Sequence, residues 1–290
     1  SGGPINPNLA TFRTGSIDMR AASSNGRDIS IYAGGNIVTS SNSLTSTRTG
    51  AAGNAGNIVV TSQNGAINLG ATGDVSANGS ATVSGNGGSA TLNAFGVLTA
   101  RNFSSQALTS GTGNTISLTA GGALSIGTGV ASGAGAVGTG GSIILTGTST
   151  IATTGALTAT GTGTGVGGAI TLVNNAIATA NTQIGGTVDA SAAGAGGGNV
   201  TIQYADSSAA NFVIGSAPAA SGVNGNIVAD GSSSGGTIII SNNLGATTNV
   251  SLTTAAAKIS ASGTTLGNID FNVATAGGAP LNAAAAVSVT

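Results

Sequence analysis

Histidine, cysteine, tryptophan and glutamate are all missing from this 290-residue chain; its seven acids are Asp18, Asp28, Asp74, Asp189, Asp206, Asp230 and Asp270. Without imidazole or thiolate there are no parts for a zinc or copper centre, a haem ligand, a disulfide or a Ser-His-Asp triad. Lys, Gln and Met are also sparse, so the residues that favour helices are largely absent and a helical bundle is not expected. Aromatics make up 2% of the chain, too few for a platform on which bases or sugars could stack.

Charge is scarce as well. Charged residues are 4% of the chain, with six cations against seven acids and a net charge of −1, where an ordinary soluble domain carries about 25%. Five of the cations (Arg13, Arg20, Arg27, Arg48, Arg101) precede Asn102, the sixth is Lys258, and no charged side chain lies between Asn102 and Val188. No basic run exists to neutralise phosphates, so nucleic acid is not expected as a partner. No apolar window approaches the ~18 residues of a transmembrane helix. The chain starts at Ser1 without Met, a charged leader or an apolar core segment, and reads as a mature or excised piece whose export signal lies elsewhere.

What is present is glycine, 52 residues of it, arranged in a recurring phrase. The phrase is Gly, then a small or polar residue, then alternating aliphatics. It occurs as Gly56-Asn57-Ile58-Val59-Val60, Gly88-Ser89-Ala90-Thr91-Leu92, Gly141-Ser142-Ile143-Ile144-Leu145 and Gly168-Ala169-Ile170-Thr171-Leu172. It returns as Gly198-Asn199-Val200-Thr201-Ile202, Gly236-Thr237-Ile238-Ile239-Ile240 and Gly267-Asn268-Ile269-Asp270-Phe271, with a looser copy at Gly113-Asn114-Thr115-Ile116. The first aliphatics, from Ile58 through Ala90, Ile116, Ile143, Ile170, Val200 and Ile238 to Ile269, step by 32, 26, 27, 27, 30, 38 and 31 residues. A second short alternation follows eight or nine residues later, as in Ile29 then Ile37, Ile58 then Ile67 and Ile116 then Leu124. A third follows in turn, as in Asp74-Val75-Ser76-Ala77 and Thr187-Val188-Asp189-Ala190.

Period-two alternation bounded by Gly and Asn marks short strands, and those turn residues are expected to supply positive φ. Three strands and three turns in about 27 residues make one coil of a parallel solenoid, because a near-constant step with occasional insertions is the mark of a stacked array. One coil buries too little apolar surface to stand alone, so stability must come from stacking. Disorder is the weaker reading, since β-branched residues keep their period to the end. An antiparallel sandwich or barrel would need more two-residue hairpin turns. The expected fold is all-β, a right-handed parallel β-helix of about nine or ten coils spanning 1–290 as a single domain. Residues 1–14, with Pro4 and Pro7, are expected to be an irregular N-terminal segment and 279–290 a C-terminal edge strand.

Phrases such as Gly26-Arg27-Asp28-Ile29-Ser30-Ile31-Tyr32-Ala33-Gly34-Gly35-Asn36-Ile37, Gly73-Asp74-Val75-Ser76-Ala77-Asn78-Gly79 and Gly155-Ala156-Leu157-Thr158-Ala159-Thr160-Gly161 resemble the coils of large exported β-helix proteins of Gram-negative bacteria. These are the filamentous-haemagglutinin-like adhesins and autotransporter passengers. The resemblance covers most of residues 15–275. It implies a right-handed β-helix displayed outside the cell, at the cell surface or secreted, and brings no catalytic motif to carry over.

Several candidate sites can be weighed. Asp18, Arg20, Arg27 and Asp28 cluster in sequence; surface ion pairing is the plainer reading, a sugar-binding or catalytic cluster the sharper one. Asp189, Asp206 and Asp230 could share a face. Calcium sites of the repeat-in-toxin type need a Gly-Gly-x-Gly-x-Asp phrase that does not occur. Gly161–Gly168 has glycine enough for a phosphate cradle but lacks the Lys-Ser/Thr ending, and reads as a flexible turn. Thr45-Ser46-Thr47 and Thr158–Thr164 raise the idea of an ice-binding threonine ladder, against the plain preference of Thr for outward strand positions.

The ends carry a further expectation. An uncapped, uncharged strand edge is suited to pairing with another chain, and the C-terminal stretch, with Ala285, Val287 and Val289, is the candidate self-association segment. No catalytic residue, metal or cofactor is expected. The function expected is that of an extracellular structural protein, a stiff rod contributing to a cell-surface filament or matrix with itself as partner. An adhesin segment that binds surface glycans is the alternative, and a polysaccharide-processing β-helix the second.

Overall fold

The computed structural model describes residues 11–22, 25–39, 41–50, 52–207, 211–218, 220–244, 250–254, 257–273 and 281–283. Each Gly-initiated phrase forms the longest strand of one turn. Examples are Ile58–Ser62, Ser142–Gly147, Ala169–Asn174 and Thr237–Asn242. These strands stack in parallel and in strict one-to-one register into a nine-stranded sheet, face one, running from Ile29–Ala33 to Asn268–Val273. The second alternation builds face two, from Phe12–Arg13 and Ile37–Val38 onward, and the third builds face three, from Ile17–Asp18 and Leu44–Thr45 to Ile259–Ser260. The chain visits the faces in the order one, two, three and begins again. Eight steps of the register carry it from Ile29 to Ile269, an average of 30 residues per turn. The protein is therefore an all-β parallel solenoid of about eight turns, close to the count expected from the repeats.

Alternation on each strand sends one set of side chains inward. Ile58 and Val60, Ile143 and Leu145, Ile170 and Leu172, and Val200 and Ile202 are fully buried on face one. Face two contributes Ile37, Ile67, Leu98, Leu124 and Ile151; face three contributes Leu44, Val75, Phe103, Leu157, Val188 and Ile227. Because the register is one-to-one, like residues lie above like residues, about 4.8 Å apart, in continuous apolar ladders.

The recurrent glycine has a different cause from the one its sequence suggests. Gly56, Gly88, Gly141, Gly168, Gly198, Gly236 and Gly267 share one corner, between faces three and one, and none has a positive φ. They are glycine because successive turns stack backbone on backbone there. A Cβ at Gly168 would lie 2.0 Å from the Gly141 carbonyl oxygen, at Gly198 1.8 Å from that of Gly168, and at Gly236 1.7 Å from that of Gly198. The turn asparagines likewise do not supply positive φ: the only non-glycine residue with positive φ among those described is Ser41. Their side chains tie turn to turn. The Asn57 Oδ1 accepts from the Ser89 N–H at 2.9 Å, Asn86 from Thr112 at 2.8 Å and Asn226 from Lys258 at 3.0 Å.

The longest sequence step, 38 residues between Val200 and Ile238, corresponds to an extra strand. Phe212–Ile214 occupies face two, and the chain then returns to add Gly222–Val223 beside it, in parallel, on the side of the preceding turn. Face two thus holds eleven described strands where the other faces hold nine. At the start, Phe12–Arg13 already pairs with Ile37–Val38, so the solenoid begins inside the segment expected to be irregular. At the other end Leu281–Ala283 pairs with Val250–Leu252. Ala285, Val287 and Val289 lie outside the described residues.

Candidate functional site

The solenoid scatters the residues that sequence proximity brought together. Asp18 lies on face three, where its carboxylate accepts from the Arg20 Nε at 2.8 and 2.7 Å. Both side chains are about half exposed, and the hydrogen bond from Arg20 holds the Asp18 carboxyl below its ordinary value. Asp28 immediately precedes the first strand of face one and accepts from the Asn57 N–H at 2.7 Å. The cluster expected from the sequence is therefore split, with Asp18 and Arg20 paired on face three and Asp28 bonded to the next turn at the start of face one.

A second pair joins consecutive turns at the corner of faces two and three. Arg101 straddles Asp74, with Nε to Oδ1 at 2.8 Å and Nη2 to Oδ2 at 2.6 Å. That bidentate hydrogen bonding raises the Arg101 pKa. Beside it runs a shallow groove of about 200 Å³ lined by Ala71, Thr99, Ser125, Ile126 and Thr154. Its one charged group, Arg101, is already held by Asp74.

Asp189 and Asp230 do share face three, on adjacent turns. Asp189 sits in register with Val228, two residues before Asp230. Asp206 is separated from them, buried at the corner of faces one and two, where its backbone N–H donates to the Asn242 Oδ1 at 3.1 Å. Desolvation pushes the Asp230 carboxyl upward, but hydrogen bonds from the Ser260 hydroxyl and from Ser262, with the charge of Lys258, outweigh it and leave the pKa lowered. The Ser262 N–H reaches Oδ1 at 2.8 Å and the Lys258 Nζ reaches Oδ2 at 3.5 Å. Among the described residues, no three acids gather where they could hold a metal ion.

Thr45 and Thr47, and Thr158 and Thr160, all point outward from face three, but their column is mixed. Thr45 stands between Asp18 and Ser76, and Thr158 between Val130 and Asp189. The remainder of the second run leaves the face. Thr162–Gly163 pairs antiparallel with Val137–Gly138 in a two-stranded corner sheet, and the Thr164 hydroxyl donates to the Ala136 carbonyl at 3.2 Å. The glycine-rich stretch read as a flexible turn is therefore hydrogen-bonded structure.

Two features had no clear signal in the sequence. Arg48 is buried at the corner of faces three and one, its Nη1 donating to the Ala21 carbonyl at 2.8 Å while Nε has no partner. The other is a segregation of charge. Asp74, Arg101, Asp189, Asp230 and Lys258 all belong to face three or its edge, whereas the outward residues of face one from Ile58–Ser62 to Thr237–Asn242 include no charged side chain. Spacing in sequence hid this, because each face is sampled once per turn. No protein-family model, curated protein sequence or solved structure matches the chain.

Proposed function

We propose that this chain is an extracellular structural element, a stiff rod that contributes to a cell-surface filament or matrix by association at its open strand edges or ends. The observation that carries the reading is the uninterrupted parallel register of the three faces, from the first described turn to the last. A solenoid presents unpaired N–H and C=O groups at each end, and the same ladder that joins its turns can join one copy to the next. The surface suits exposure in bulk: its hydroxyls and amides bond mainly to neighbouring turns rather than converging on a point. The resemblance of the coils to exported Gram-negative β-helix proteins supports a position outside the cell, and supports also the adhesin alternative.

Tyr32 and Phe95 give that alternative one specific feature, since both are aromatic and more than half exposed, at 58% and 67%. Exposed rings of this kind are where a sugar face would stack. The structural reading is tested by negative-stain electron microscopy over a concentration series. Filaments that lengthen with concentration are expected. Short separate rods at every concentration, together with glycan-array binding lost in Phe95→Ala, would replace it with the adhesin reading.

A further inference from the structure

The outer surface of face one carries no charged side chain over the seven strands from Ile58–Ser62 to Thr237–Asn242. At about 4.8 Å between strands and about 3.3 Å per residue over five or six residues, these seven strands give an area of about 600 Å² and the full nine, the last of which carries Asp270, about 800 Å². A standard stable interface buries about 800 Å² per partner, with charged residues depleted from its centre. No like-charge repulsion opposes the approach of an identical face over its seven central strands, whereas face three carries charge toward both ends, with Asp18, Arg20, Asp74 and Arg101 in its early turns and Asp189, Asp230 and Lys258 in its late ones.

The middle outward column adds a pattern. It reads Ser30, Val59, Thr91, Ser117, Ile144, Thr171, Thr201, Ile239, Asp270, one residue per strand in register. Ile144 stands on the fifth of the nine strands, and Val59 and Ile239 stand three strands away on either side. Val59 is 38% exposed, and Ile144 and Ile239 are half-buried among the threonines around them. The column is therefore close to symmetric about Ile144 in its apolar positions, though not in its charged one.

We propose that face one is a self-association surface on which a second copy of this chain packs face to face, related by a two-fold axis that runs along the strands at Ile144. Such an isologous contact sets each patch against its own copy. The axis places Ile144 against Ile144 of the other copy and Val59 against Ile239, at the about 10 Å separation of packed sheets. It also sets Asp270 opposite Ser30 and Asp28 opposite Asn268. The competing arrangement, with the two rods parallel, would put Asp270 against Asp270, and like charges across an interface are strongly unfavourable. The antiparallel pair is therefore the one selected. This lateral pairing goes beyond the filament reading and does not require it, because the ends remain free in the pair.

The chain has no cysteine, so single introduced thiols report the geometry directly. The full chain carrying Ile144→Cys, Val59→Cys or Ile239→Cys is treated with a short thiol-to-thiol cross-linker. I144C alone is expected to give covalent dimers, and V59C mixed with I239C likewise, while V59C alone stays monomeric. A strong V59C homodimer would overturn the antiparallel arrangement, and absence of cross-linking in both I144C and the mixture would overturn the pairing. All three positions face outward, so the fold is preserved and can be confirmed by circular dichroism. In sedimentation equilibrium, Ile144→Lys places two cations at the axis and is expected to weaken the dimer at least about tenfold. An unchanged dimer would contradict the assignment. End-to-end association leaves these side-face positions apart, so filaments without cross-linking would defeat this inference alone and leave the filament reading standing.

Discussion

Gly198 and Gly96 look alike in the sequence, each in a Gly-bounded turn ahead of a strand, yet their surroundings differ. A Cβ at Gly198 would strike the Gly168 carbonyl oxygen, whereas at Gly96 the nearest atom, the Gly65 carbonyl oxygen, is 3.4 Å away. Gly198→Ala should therefore destabilise by about 1–3 kcal/mol or more, as overpacking does, and Gly96→Ala should be tolerated. Equilibrium denaturation of both variants checks the contrast, and equal effects would mean the corner column is not close-packed backbone. Arg48 makes the opposite case. Its guanidinium is buried with one carbonyl partner at Nη1 and an unpartnered Nε, so its charge costs desolvation that is only partly returned. Arg48→Met keeps the stem and removes the charge; its melting temperature is expected to equal or exceed that of the parent. The sequence showed that glycine recurs but not why, because close approach between turns is a contact across about thirty residues. Nor could it show which of six cations would be enclosed.

Within a strand, alternation was legible wherever aliphatics were present, and the structure places Ile58, Ile116, Ile143 and Ile170 in one buried column as the phrase implied. The inner column of face three was harder to read because it mixes sizes: Val75, Phe103, Gly129 and Leu157 follow one another in register. Phe103 is fully buried next to Gly129, so a large side chain adjoins the one position with none. Phe103→Ala should cost about 3–5 kcal/mol, the range for truncating a buried aromatic, measured by the shift in denaturation midpoint. Between strands, Asp230 ties its turn to the next through Ser260, Ser262 and Lys258. Its folded pKa is lowered, so its contribution is present above the unfolded carboxylate value and is lost as pH falls through the folded one. Thermal stability should therefore drop on acidification from pH 5 to pH 2, and Asp230→Asn should show a smaller drop than the parent. An identical pH profile in the variant would remove the tie from the account. An insertion was visible as the 38-residue step, but nothing in that stretch marked it as an added strand on face two rather than a loop.

At the scale of the molecule, the near-constant repeat was enough to anticipate a parallel solenoid, since period, strand length and turn residues agreed. The surfaces were not legible in the same way. Asp18 and Asp28 lie within one short stretch of sequence and on different faces, while Asp189 and Asp230 are far apart in sequence and lie on one. A face is assembled from one short segment per turn, so its character emerges only after the register is known. The same property makes the solenoid a continuous ladder, and the structural role we propose rests on that ladder extending from copy to copy.

The most direct test of this role is the direction of the strand spacing in assembled material. In power spectra of electron micrographs of filaments grown from the purified chain, stacking end to end places the about 4.8 Å repeat along the filament axis. That layer line on the meridian is the expected result. A 4.8 Å repeat lying across the axis, or no filaments at any concentration, would contradict the account.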